Sequence, residues 1–84
     1  MELKEIRQEV DKIDDKIIGL LSKRAELVTM AGKLKKDEQG VRDPKRVEQV
    51  INKVKTRAAE AGLDPYIAEQ IYKTIISCFI DREL

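Results

Sequence analysis

Arg24 stands where an apolar side chain is expected. From Leu3 onward the chain places Ile6, Val10, Ile13, Ile17, Leu20, then Leu27, Ala31 and Leu34 at alternating spacings of three and four, and the position that continues the series after Leu20 is Arg24. A buried guanidinium without a partner costs several kcal/mol. A cation at a seam position therefore pairs with a carboxylate, snorkels to solvent, or lines a cavity that receives an anion. Lys35 follows 11 residues later, about 1100° of helical rotation, which returns it to the same face about 16 Å farther along. Val28 and Ala31 lie between them. Two long cationic side chains leaning toward each other over small apolar residues frame a slot for a compact dianion. Arg7 is set apart, 17 residues before Arg24, about 25 Å along the axis and turned by about 100°. It cannot reach that slot within one chain, but in an antiparallel dimer it could reach its partner's. Any one of these cations alone is most simply a solvated surface group; their joint placement is what points to an anion.

The stretch "VRDPKRVEQV" supplies a further cation in an unusual place. Asp43 is a good N-cap and Pro44 suits the first helical position, so a helix starts here. Lys45 and Arg46 follow, although a helix N-terminus carries about half a positive charge and favours anions. If the first two helices pack antiparallel across a short loop, Arg46 joins Arg24 and Lys35. Arg46 and the amides of the helix start then form one wall of a dianion site.

These cations must be set by a short chain of 84 residues, one domain over 1–84, and small domains bury too little surface to be comfortable alone. Lys and Arg number 17 against 16 Asp and Glu, a net charge of +1, which gives no overall field for nucleic acid or an anionic membrane. With two Tyr, one Phe and no Trp, there is little on which to stack bases. Cys78 is the only cysteine, so no disulfide or cysteine zinc site forms within a chain, and a reducing, cytoplasmic setting fits. No stretch approaches the roughly 20 apolar residues of a membrane span. There is no His, no glycine-rich phosphate loop and no nucleophile motif. Chemistry carried by such a chain needs little proton transfer, and no metal or other cofactor is expected.

The periodicity predicts an all-α chain of three helices. The first begins at Leu3 and finds a plausible stop at Gly40; about 34 residues of helix would run roughly 50 Å, longer than the roughly 30 Å of a compact domain of this size. The second starts at Asp43 and Pro44, carries Val47, Val50, Ile51, Val54 and Ala58 on one face, and ends near Gly62. The third starts at Asp64 and Pro65 with Ile67, Ile71, Ile75, Cys78 and Phe79 on its apolar side. The overhanging first helix needs a partner surface, and a second copy related by a twofold axis is the simplest supplier. An intertwined helical homodimer is expected.

The segments "LKEIRQEVDKIDDKIIGLLSKRAELV", "GKLKK", "VRDPKRVEQV" and "GLDPYIAEQIYKTII", in that order and spacing, resemble the all-helical chorismate mutase family in its small intertwined-dimer form. The resemblance implies a dicarboxylate substrate, chorismate, and its Claisen rearrangement to prephenate. It implies that Arg24 and the partner's Arg7 hold the two carboxylates, that Lys35 contacts a carboxylate and the ether oxygen whose bond breaks, and that Arg46 is a further site arginine. The backbone amide of Asp43 matches a position facing the ring hydroxyl. A unimolecular pericyclic reaction needs no nucleophile, base or metal, so catalysis can come from holding the compact conformer and stabilising charge on the ether oxygen.

Two positions depart from the family pattern. Val47 stands where many members carry a Glu that accepts the ring hydroxyl, and Glu83 where many carry a Gln that donates to the ether oxygen. Val47 either completes the apolar stripe of the second helix or marks a related substrate. The isochorismate pyruvate lyases of the same fold resemble this chain in having Val after the helix-two arginine. The alternatives are thus such a lyase, a mutase of an amino analogue of chorismate, or, in another class, a non-catalytic helical module that dimerises or binds a metabolite.

Overall fold

In the computed structural model the described residues are 1–35 and 43–83, with side chains described for 1–34 and 43–80. They form three helices and no strand: α1 (Leu3–Lys35), α2 (Pro44–Ala61) and α3 (Pro65–Glu83). The expected stop at Gly40 lies outside the described residues.

α1 runs unbroken for 33 residues, about 50 Å at 1.5 Å per residue. No Pro interrupts it. Its start is a half capping box, in which the Glu2 amide donates to Glu5 Oε1 at 3.4 Å while the Ile6 amide donates to the Glu2 carbonyl at 3.0 Å. Glu5 also places negative charge at the positive end of the helix. Farther on, Lys12 Nζ lies 3.2 Å from Glu9 Oε1, an exposed pair worth a few tenths of a kcal/mol.

The chain divides into two compact units, Met1–Met30 and Ala31–Leu84. The first is helix alone. Its seam residues from Leu3 to Leu27, Arg24 aside, are between 44% and 64% exposed. A helix in a protein draws most of its stability from packing of an apolar face, not from propensity.

The second unit contains the helical hairpin of α2 against α3. Asp43 caps α2: its Oδ1 accepts from the Lys45 amide at 3.1 Å and the Arg46 amide at 3.3 Å. Gly62 ends the helix at φ +83°, the left-handed conformation in which a side chain is strained. The Leu63 amide then donates to the Ala58 carbonyl at 2.8 Å and the Gly62 amide to the Ala59 carbonyl at 3.2 Å, a Schellman closure. Asp64 repeats the opening device for α3 by accepting from the Tyr66 amide at 2.9 Å. Where α2 meets α3, Ala58 and Ala68 are the buried apolar residues among those described. Small side chains let the two backbones approach closely. At the hairpin's edge Lys55 Nζ reaches Glu69 Oε1 across the helices at 4.0 Å, and Glu69 Oε2 also meets Lys73 at 3.2 Å.

Candidate active site

The expected site residues are distributed over both units. Arg7 and Arg24 lie on α1 within Met1–Met30. Arg7 is exposed and Arg24 is half-buried. Helix geometry holds the two about 25 Å apart along the axis, so one chain does not bring them together. Arg24 lies three residues after Leu21 and four before Val28, and both of these are half-buried, as are Ala25 and Gly32. The seam reasoning missed this second stripe. Its signal was present in the spacing of Leu21, Ala25 and Val28, which Gly32 extends with a position that has no side chain, and Arg24 joins it to the seam. α1 carries the chain from Arg24 to Lys35 as one continuous helix. The side chains of Lys35 and Glu83 lie outside the described residues.

Asp43, Arg46 and Val47 are gathered in one turn at the start of α2. The local geometry explains why Lys45 and Arg46 are tolerated there. The carboxylate of Asp43 occupies the positive pole of the helix and accepts from both amides, so the dipole is already met by a negative charge before the cations are added. This alters the expectation of a wall made of amides. The Lys45 and Arg46 amides turn to Asp43, and the Val47 amide donates to the Asp43 carbonyl at 3.1 Å. What the turn offers an incoming anion is the exposed side chain of Arg46. Val47 is half-buried together with Val50, Ile51 and Val54, the apolar stripe that leads down to Ala58.

The family model for chorismate mutase type II matches residues 6–84, which takes in all three helices. The chain belongs to the type II chorismate mutase family. Its relatives within and around this family carry more than one activity. It is 36% identical to a bifunctional chorismate mutase/prephenate dehydratase of Aquifex aeolicus over 98% of this chain and 24% of that protein. It is 30% identical to an isochorismate pyruvate lyase of Pseudomonas aeruginosa over 98% of this chain and 81% of that protein. A chorismate mutase of Methanocaldococcus jannaschii is 29% identical over 88% of this chain and 76% of its own length. The chain thus spans about a quarter of the Aquifex protein and about four fifths and three quarters of the other two. Chorismate mutases are isomerases, and membership places this chain in that enzyme class.

Proposed function

We propose that the chain rearranges chorismate to prephenate, a step of aromatic amino-acid biosynthesis, as an intertwined homodimer with two equivalent sites. The family match over residues 6–84 carries this reading. It is supported by a half-buried arginine in an otherwise apolar seam and by an exposed arginine beside the Asp43 cap.

In each site Arg24 and the partner's Arg7 hold the carboxylates of the substrate. They press its enolpyruvyl side chain over the ring into the compact conformer from which reaction is possible. Fixing that conformer contributes because the bound state has already given up the freedom that the free molecule loses on the way to the transition state. One carbon–carbon bond forms as the ether carbon–oxygen bond breaks, and no proton or electron enters or leaves. Negative charge builds on the ether oxygen, and Lys35 donates to it. Glu83 does so when protonated, because an ionised carboxylate only accepts. Arg46 adds a further cation at the start of α2, and the Asp43 amide faces the ring hydroxyl. Val47 completes the α2 stripe; its half-burial alongside Val50 and Val54 supports that role.

The assay is direct. The purified protein is incubated with chorismate and with isochorismate. Prephenate from chorismate is the expected product. Pyruvate and salicylate from isochorismate alone would replace this reading with a lyase, and no product from either would leave a non-catalytic helical module.

A further inference from the structure

The charges of the chain nearly cancel at +1, but they are unevenly spread. α2 carries five cations, Lys45, Arg46, Lys53, Lys55 and Arg57, against two carboxylates, Glu48 and Glu60, and its first turn holds no acid. Two of the five are already answered. Arg57 Nη1 meets Glu60 Oε2 at 3.3 Å, and Lys55 Nζ reaches Glu69 Oε1 at 4.0 Å. Arg46 belongs to the site proposed above. Lys45 and Lys53 remain: both are exposed, and neither forms an ion pair with a carboxylate among the described residues.

The helix fixes where these two stand relative to Arg46. Lys53 follows it by seven residues, which returns the chain to within about 20° of the same face and about 10 Å farther along. Lys45 is the neighbour on the other side. Neither belongs to the half-buried stripe of Val47, Val50, Ile51 and Val54, so packing does not account for them. Lys45 even sits at the positive pole of the helix, where a cation is disfavoured.

Resting on the chorismate reading above, we propose that Lys45 and Lys53 form an exposed cationic strip that draws the dianionic substrate toward Arg46 without touching it once bound. A charge about 10 Å from a dianion acts through solvent, and salt screens it, since the Debye length shrinks from about 30 Å at 10 mM to about 3 Å at 1 M. The attraction therefore aids capture at low salt and vanishes at high salt. During the rearrangement charge moves within the substrate while its total stays the same, so a distant cation meets the ground state and the transition state almost alike. Such an interaction raises kcat/KM and leaves kcat unchanged.

The test measures kcat and kcat/KM of the full chain on chorismate between about 10 mM and about 1 M NaCl, a span that carries the Debye length across the 10 Å gap. Three proteins are compared: the parent, Lys45→Gln with Lys53→Gln, and Lys45→Arg with Lys53→Arg. At the low end the Gln pair should lose about fivefold in kcat/KM with kcat unchanged, and at the high end it should converge with the parent. The Arg pair keeps both charges and should follow the parent at every salt concentration. Arg24, Lys35 and Arg46 give all three proteins a common salt sensitivity, so the difference between slopes is the reading. Parallel slopes for the Gln pair and the parent would overturn the proposal. A fall in kcat that persists at high salt would overturn it too, by marking a direct contact, as would an equal loss in the Arg pair, by marking a structural role. A parent that turns over no chorismate overturns the reading beneath, whereas an active parent with parallel slopes overturns the strip alone.

Discussion

The carboxylate of Asp43 does two things with one oxygen, closing the amides of Lys45 and Arg46 at 3.1 and 3.3 Å and holding negative charge at the helix pole. That leaves the Arg46 side chain exposed at the turn. At this scale the catalytic expectations are sharp. Arg24→Ala should lower turnover on chorismate by about 10²–10³-fold, the usual cost of removing one charged donor from a developing oxyanion or a bound carboxylate; steady-state kinetics will show it. In the role proposed for it Glu83 donates only when protonated, so turnover should rise as pH falls. Glu83→Gln should flatten that profile, and a profile matching the parent would remove Glu83 from the reaction. The cap at Asp43 was legible in the sequence because capping is local. Its consequence for the neighbouring amides was not, since a capping residue does not announce which groups it leaves for a ligand.

Among the elements, two glycines show how context sets the sign of one substitution. Gly19 lies inside α1, where an added Cβ meets nothing within 4 Å, and glycine in a helix interior is poorer than alanine. Gly62 also has open space, but its φ of +83° is one that alanine adopts at a cost. Gly19→Ala should therefore stabilise by about 0.5–1 kcal/mol, and Gly62→Ala should destabilise by about 1 kcal/mol, both readable from denaturant midpoints. The elements themselves were the most legible part of the chain. Asp43–Pro44, Asp64–Pro65 and Gly62 are punctuation whose effect is set within a few residues, and α2 begins and ends where they say. The stripe of Leu21, Ala25, Val28 and Gly32 was hidden for two reasons. A stronger pattern, the seam, runs beside it on the same helix, and its last member has no side chain to register as apolar.

For the whole molecule, the sequence showed that α1 has an apolar seam but not what covers it, because burial of a helix face is decided by another surface and not by the helix. Arg7 carries the same ambiguity: on one chain it is an exposed arginine far from Arg24. Mixing Arg7→Ala with Arg24→Ala chains tests whether the site is shared. After subunit exchange half of the dimers are mixed and each has one intact site, so activity should recover to about a quarter of the parent's; no recovery despite exchange would confine each site to one chain. The exposed seam of α1 has a further consequence, for the order in which the protein comes into being. In the dimeric reading proposed above, such a seam gains most of its stability only on meeting its complement, so the search is one of diffusion between chains. Refolding from denaturant should then be second order: halving the chain concentration should double the half-time, and a half-time indifferent to concentration would mean that the hairpin and the long helix reach their final state before the chains collide.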